Sequence, residues 1–200
     1  MDEMCHLLGE AFSRRDPPAV AMGITASDFE SMVRLYCHAA VSDGLTVIAR
    51  ASDTGKLAGA LLTEDAAAAP PEGLGLLNAK FHPIFEILGQ LHEGCEPKEK
   101  NQSLHLFLLG VDESCTGQGI ARQLVLASMR NGERRGYSSA MAEATNPISQ
   151  SVFRKLGFNE RSSRSYKDFQ YRGQAVFANI AEAGGPILME RPLVPSGPKR

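Results

Sequence analysis

Apolar residues recur at helical spacing in five segments of the chain and predict a helix in each. Residues 2–13 place apolar side chains three and four positions apart, and Asp16-Pro17-Pro18 ends that helix. A second helix is predicted from a capping box at Ser27–Glu30 to Gly44. The remaining helices are predicted from Pro83 onwards, over 117–132 and over 147–156.

Short apolar runs bounded by turn residues predict the strands. Residues 53–56 have the composition of a hairpin turn between the first two strands. The run 104–111 is almost continuously apolar, which predicts a central strand buried on both faces. No strand is predicted before the first helix, and the order of elements indicates a mixed α/β sheet in one domain over residues 1–200. The strands are predicted at 46–50, 57–62, 104–111, 137–142, 158–163 and 187–191.

Composition excludes several classes of protein. With 43% hydrophobic and 22% charged residues in 200, the chain has the balance of a folded domain rather than a disordered one. A net charge of -2 gives no field that would attract nucleic acid or anionic lipid, and no apolar run could cross a bilayer. Because the cysteines form no CxxC pair, we expect a reduced, metal-free, cytoplasmic protein. They are Cys5, Cys37, Cys95 and Cys115.

The segment from Val111 to Leu124 carries the most informative chemistry. A strand ends there, a short polar turn follows, and small residues open an amphipathic helix. The unpaired amides of such a helix start, together with the helix dipole, favour a bound pyrophosphate. The alternative is that the glycines only permit a tight turn. The dinucleotide fingerprint fails because Arg122 stands at its third small position, and the Walker pattern is absent.

Two motifs together resemble the GNAT acyltransferase superfamily. Its coenzyme A loop follows a strand that ends in Val and reads R/Q-x-x-G-x-G/A. Val111, Gly119 and Ala121 match it, whereas Thr116 departs from the usual Arg or Gln. The segment 146–158 resembles the N-x-x-A/S-x-x-x-Y/F-x-K-x-G-F motif of the same superfamily at every spaced position. The last four residues of that segment, 155–158, are also explained by an ordinary helix C-terminus.

This resemblance implies an α/β (α+β) GNAT fold, with a mixed central sheet splayed between its two central strands and helices on both faces. It also implies acetyl-CoA as the co-substrate and no metal. The main chain around Leu109 would donate an N–H to the thioester carbonyl. By resemblance, the residues that contact the cofactor are Leu109, Val111, Thr116, Gly117, Gln118, Gly119, Ile120, Ala121, Arg122, Asn146, Ser149 and Phe153.

Acyl transfer to an amine requires a base, and two residues are candidates. His105 lies on a strand that resembles the vertebrate serotonin acetyltransferases, although Phe107 replaces their second histidine; the alternative is a histidine bonded to a neighbour. Asp16 lies in a segment resembling the F-x-x-x-E-P of insect arylalkylamine acetyltransferases; the alternative is an Asp that caps a turn. Phe153 replaces the tyrosine that usually serves as general acid, which leaves Ser149, among other groups, as the proton donor.

The predicted function is the transfer of an acetyl group from acetyl-CoA to the primary amine of a small, partly aromatic molecule. The long segment 64–103 and the aromatic patch 166–177 are expected to form the acceptor pocket. The alternative function is an acyl-CoA sensor without turnover, which the residues at 116 and 153 would permit. The identity of the amine and the formation of a homodimer are left open.

Overall fold

The computed structural model describes residues 1–95 and 99–194. The helices of these ranges are α1 Asp2–Arg15, α2 Pro17–Ala21, α3 Ala26–Ser42, α4 His82–Leu91, α5 Ile120–Arg134 and α6 Pro147–Lys155. The strands are β1 Val47–Arg50, β2 Leu57–Asp65, β3 Ser103–Val111, β4 Ser139–Ala144, β5 Asn159–Ser163 and β6 Ile187–Pro192. No helix in the described ranges has both the length and the apolar character that a membrane span requires.

The six strands form one mixed sheet in the order β1-β2-β3-β4-β6-β5. Only β3 and β4 are parallel, and they pair over Ser103–His105 and Ser139–Met141 alone. Beyond Met141, β4 continues to pair with β6 as far as Ala144, whereas β3 continues to Val111 beside β2. The sheet is therefore splayed between its two central strands, which confirms the expectation drawn from the resemblance.

A β-bulge in β3 accompanies this divergence. Leu62 of β2 pairs with Leu108, but the next residue, Thr63, pairs with Leu106, so Phe107 is the extra residue. Leu106 lies in the core on the α5 side of the sheet, and Leu108 lies in the core on the α1 side. The bulge thus reverses the face to which the following residues of β3 point. Because an extra residue disrupts a ladder locally, it also favours the separation of β3 from β4.

Two apolar cores cover the two faces of the sheet. On one face, α1, α3 and α4 bury residues such as Leu8, Val33 and Ile87. On the other face, α5 and α6 bury residues such as Val125 and Phe153. Each of these helices contributes an apolar stripe to its core, as the helical spacing of its apolar residues in the sequence predicts. Helices on both faces were expected, and the structure confirms them.

Four details of the structure differ from the sequence-based prediction or add to it. Pro17 does not only end a helix but also begins α2, because proline fits the first turn. At the start of α3, Thr25 and Asp28 exchange the capping hydrogen bonds expected of Ser27 and Glu30. The helix predicted from residue 117 begins at Ile120. The strand β3 is not buried on both faces: alternate residues from 105 to 111 are only half-buried, because β4 diverges there.

The contact between α1 and α3 gives a test of this packing. A Cβ atom on Gly9 would lie 2.8 Å from the backbone oxygen of Ala26 and 2.6 Å from Cγ of Glu30. Gly9→Ala is therefore expected to destabilise the protein by about 1–3 kcal/mol, although alanine is the better helix former. The matched control is Gly89→Ala in α4, where no atom lies within 4 Å of the added Cβ. It should stabilise by about 0.5–1 kcal/mol. Denaturant unfolding measures both, and equal stability of the two variants would contradict the close approach.

Candidate active site

The end of α1 lies across the open gap between β3 and β4. The guanidinium of Arg15 donates to the carbonyl oxygen of Val111, the last residue of β3, at 2.6 Å. The hydroxyl of Thr145, which follows β4, donates to the carboxylate of Asp16 at 2.5 Å. Two consecutive residues therefore contact the opposite sides of the gap. Neither Arg15 nor Thr145 was singled out from the sequence, although Thr145 directly precedes the Asn146 motif.

Asp16 is held in this position by local structure. Its side chain accepts a hydrogen bond from the amide of Ala19 and caps α2, while Pro17 occupies the first turn. The residue is 7% exposed, and no cation among the described residues pairs with its carboxylate. Burial is the dominant effect and raises the pKa of Asp16 to about 6, against the opposing hydrogen bonds from Thr145 and Ala19. The carboxylate is therefore ionised at neutral pH but can accept a proton easily.

A buried tyrosine completes the surroundings of Asp16. The hydroxyl of Tyr166 donates to the carbonyl oxygen of Thr145 at 2.8 Å. Burial, and then the charge of Asp16, raise the pKa of this phenol well above its usual range. Tyr166 and Phe169 both pack against Phe177 and are buried. The aromatic patch that was expected to line an acceptor pocket is thus largely core, because its rings stack on each other.

The glycine loop leaves its backbone free. Gly117 and Gly119 have φ angles of 77° and 76°, and an added Cβ at either position would meet no atom within 4 Å. In the described part of the chain, no acceptor bonds the amides of Gly117, Gln118, Gly119, Ile120, Ala121 or Arg122. The loop is exposed and opens onto the first turn of α5. Free donors at a helix start, without side chains over them, fit a diphosphate.

The edge of β3 beside the gap supplies a further donor. The amide of Asp112 bonds to the carbonyl of Ala58 in β2. Because successive residues of a strand point their backbone groups to alternate edges, Val111 and Leu109 direct theirs away from β2 and toward the gap. The amide of Leu109, which the resemblance assigned to the thioester carbonyl, is therefore directed toward the gap.

The other residues predicted to bind the cofactor are engaged in the fold. Asn146 accepts the amides of Ile148 and Ser149, and the hydroxyl of Ser149 donates to the carbonyl of Asn146. These two form the capping box of α6. Phe153 is 3% exposed and packs edge-on against Phe158 in the core. The hydroxyl of Thr116 donates to the carbonyl of Glu113, so it stabilises the turn before the loop.

His105 lies at the closed end of the gap and is enclosed by carboxylates. Its Nδ1 is 3.0 Å from Oε1 of Glu64, and its Nε2 is 2.7 Å from Oε2 of Glu143. The second oxygen of Glu143 bonds to His92. Burial alone would lower the pKa of His105, but the charges and hydrogen bonds of Glu143 and Glu64 outweigh it and raise the pKa to about 10. The imidazole is therefore a cation at neutral pH and is not poised to take a proton. Its carboxylate partners were missed in the sequence, since they lie on other strands.

Two surface grooves have volumes of about 450 and 700 Å³, and the second includes Arg15 and Val111 at the edge of the gap. The first is lined by the beginnings of β3 and β4, and the second lies between α1 and the β1–β2 hairpin. Neither contains the free amides of the glycine loop. No cluster of three or more metal-ligating side chains occurs in the described ranges.

A comparison with protein families agrees with this geometry. The model of the acetyltransferase (GNAT) family matches residues 2–158, which is most of the chain. The chain belongs to the GNAT acetyltransferase family. Both motifs that carried the resemblance in the sequence lie inside the matched range.

Solved structures share the fold across almost the whole chain. The C-terminal condensation domain of Ebony, solved with beta-alanyl-dopamine, has a TM-score of 0.84 at 17% identity and covers 96% of this chain and 93% of its own. Arylalkylamine N-acetyltransferase 2 from Aedes aegypti has a TM-score of 0.74 at 19% identity, with coverage of 96% and 94%. The polyamine N-acetyltransferase of Drosophila melanogaster has a TM-score of 0.74 at 18% identity, with the same coverage. At such identities the likeness shows a common fold.

The glycine loop can be tested with a matched pair of variants. Gly119→Ala and Gly55→Ala both place a Cβ at a positive φ with open space around it, but Gly55 lies in the β1–β2 hairpin. Both should lose about 1 kcal/mol of stability from backbone strain. Only Gly119→Ala should weaken the binding of coenzyme A, by about tenfold in the dissociation constant measured by calorimetry. Equal affinities in the two variants would exclude the loop as the binding site.

Proposed function

We propose that this GNAT protein transfers the acetyl group of acetyl-CoA to the primary amine of a small molecule. The observation that carries this proposal is the buried carboxylate of Asp16 at the mouth of the gap, with a pKa raised to about 6. The preceding residue, Arg15, contacts Val111 at the end of β3, and the loop of unpartnered amides follows Val111 in the chain. We assign residues 1–200 to one catalytic domain, since both cores pack on the same sheet.

In this proposal the amides of the glycine loop bind the diphosphate of acetyl-CoA, with the dipole of α5 adding to their attraction. The bound acetyl-CoA supplies an activated thioester. The amide of Leu109 then stabilises the negative charge that develops on the carbonyl oxygen as the amine attacks. A carbon–nitrogen bond forms, the carbon–sulfur bond breaks, and the coenzyme leaves as its thiolate. Asp16 accepts the proton that the amine releases, directly or through one water molecule.

Asp16 is the better base because of its surroundings rather than its residue type. A base must be unprotonated at the working pH, and a pKa near 6 meets this condition. His105 is held as a cation by Glu64 and Glu143, so it has no free nitrogen lone pair to offer. The pKa of Tyr166 is raised, and its proton is donated to a backbone carbonyl, which leaves Asp16 as the acceptor in the gap.

The proposed acceptor is a small amine with an apolar body. The rings of Tyr36 and Phe107 pack at 4.6 Å on the face of the sheet that Asp16 also occupies, and both are half-buried. The structural neighbours include proteins named for arylalkylamines and polyamines, and the Ebony domain was solved with beta-alanyl-dopamine. These names support a small amine as the substrate class, whereas the ring pair favours one with an apolar or aromatic part.

The second candidate function is an acyl-CoA sensor without turnover. Two observations favour it. Phe153 is buried in the core and has no hydroxyl, and the hydroxyl of Thr116 donates to the carbonyl of Glu113 in the turn before the loop. Such a protein would bind acetyl-CoA through the same loop. The two functions therefore differ in catalysis and not in cofactor binding.

Two measurements separate these functions. Calorimetry with acetyl-CoA should show binding, and its absence at millimolar ligand would refute both functions. Release of the coenzyme A thiol is then followed with aromatic amines, diamines and amino acids as acceptors. We expect turnover with at least one small amine. Binding without thiol release from any acceptor would favour the sensor.

The role of Asp16 predicts a specific pH dependence. At saturating substrates, the plot of kcat against pH should have an acidic limb: kcat decreases as the pH is lowered past about 6, because Asp16 becomes protonated. Asp16→Asn should reduce kcat by about 10²–10⁴-fold and abolish that limb. Thr145→Val removes a hydrogen bond that lowers the pKa of Asp16, so it should move the limb to higher pH. A limb that stays in place in both variants would show that another group titrates.

The substitution Asp16→Asn should also increase the stability of the folded protein. Because the folded-state pKa of Asp16 lies above the ordinary value of 3.8, folding favours the protonated acid, and the ionised form costs stability once the pH exceeds both values. Asp16→Asn should therefore raise the free energy of unfolding at pH 7 by about 1–3 kcal/mol. The gain should shrink as the pH falls from 6 toward 4. Denaturant unfolding at several pH values measures this, and a loss of stability at pH 7 would contradict the burial of an unpaired charge.

A further inference from the structure

The parallel pairing of the two central strands is very short, and a charged side chain lies where it stops. The register of β3 and β4 ends at His105 and Met141. His105 is the last residue of β3 in this ladder, and its Nε2 lies 2.7 Å from Oε2 of Glu143 on β4. Glu143 is therefore bonded to β3 through its side chain just beyond the last backbone pair. A side-chain bridge thus continues the contact between the strands at the point where the backbone contact is lost.

This bridge is part of a larger group of charges that we call the His105 network: Glu64, His92, His105 and Glu143. It joins four elements, since Glu64 lies on β2 and His92 lies at the C-terminal end of α4. The side chains of His105 and Glu143 are 13% and 8% exposed, so solvent screens their attraction only weakly. Tyr36 of α3 faces the same group, and Glu64 and Glu143 add to the effect of burial in raising its pKa to about 12.

The two carboxylates bonded to His105 differ in what they hold together. Glu64 pairs with His105 in a β2–β3 register that runs from Gly59 to Asp65, so this side would stay closed without the ion pair. Glu143 spans the two strands whose register covers only residues 103–105 and 139–141. Because only three residue pairs join the backbones of β3 and β4, the ion pair between His105 and Glu143 adds a contact between the strands just beyond the last of them.

We propose that the ion pair between His105 and Glu143 fixes the closed end of the gap and thereby sets the separation of β3 and β4 along which acetyl-CoA lies. His105 and Glu143 are then positioning residues, which act on the thioester through the strands and do not touch it. This inference rests on the proposed use of the gap for acetyl-CoA. It gives the histidine of β3 a role other than that of the base.

The proposal is tested first without any ligand, by comparing Glu143→Gln with Glu64→Gln. Each variant removes one carboxylate charge from His105 and leaves the other in place, so neither strands a buried cation. We expect hydrogen exchange in peptides covering residues 103–105 and 139–141 to become on the order of tenfold faster in Glu143→Gln. Glu64→Gln should change it less than about twofold. Equal exchange in the two variants would refute the bridge, whether or not the protein binds acetyl-CoA.

The second arm measures how the gap holds the co-substrate. Glu143→Gln should raise the dissociation constant and KM of acetyl-CoA by about tenfold, with a smaller change in the KM of the amine. Glu64→Gln should leave both close to wild type. Unchanged acetyl-CoA affinity in Glu143→Gln, with faster exchange, would show that the bridge does not set the gap. Failure of the wild-type protein to bind acetyl-CoA would instead refute the proposed function.

A shorter side chain provides a further variant if Glu143→Gln does not fold. Glu143→Asp keeps the charge but is one methylene shorter, so it cannot keep the 2.7 Å contact without moving a strand. It should therefore give an intermediate increase in the KM of acetyl-CoA, of about threefold. Wild-type exchange and wild-type KM in Glu143→Asp would overturn the proposal as well. The control that should leave both unchanged is Arg34→Gln, since Arg34 pairs with Asp2 on the surface between α3 and the beginning of α1.

Discussion

The candidate site is arranged around the opening between β3 and β4, which separate beyond His105 and Met141. A single extra residue, Phe107, interrupts the pairing of β3 with β2. The parallel ladder between β3 and β4 ends two residues before it, at His105. From there the backbone groups of β3 that face β4 lose their partners, and such groups require another acceptor or donor. The same opening lets the end of α1 lie between the strands. The bulge in β3 thus accompanies an opening in which backbone amides of β3 are unpaired and the carboxylate of Asp16 lies.

The neighbours of two ionisable groups close to the gap favour opposite charge states. Asp16 is buried without a cation, so its charged form is disfavoured and its pKa rises. His105 is buried between two carboxylates, so its charged form is favoured despite desolvation. The first group can exchange a proton near neutrality, whereas the second is a fixed cation. The distribution of acid, base and structural roles follows from these contacts.

The glycine loop depends on a different physical property, the backbone conformation. Gly117 and Gly119 adopt positive φ angles that other residues reach only with strain, and this directs the following amides outward at the start of α5. Asp112 fixes the beginning of the loop by accepting the amide of Ser114. The proposed binding surface is therefore built from main-chain groups. A surface of this kind does not require a side chain from position 116, where Thr116 replaces the residue that is usual in the family and donates its hydroxyl to the carbonyl of Glu113.

Most of the helices and strands, the family and the glycine loop were predictable from the sequence, because hydrophobic periodicity, capping residues and glycines act over a few positions along the chain. It left His105 and Asp16 as alternative candidates for the base. Asp16 meets Thr145 across 129 positions, and His105 meets Glu64 and Glu143 across 41 and 38. Only the tertiary structure brings these groups together, and a pKa is set by burial and by the charges nearby, whatever their separation along the chain. For the same reason Asn146, Ser149 and Phe153 matched a motif in the sequence, while the fold employs them in a helix cap and in the core.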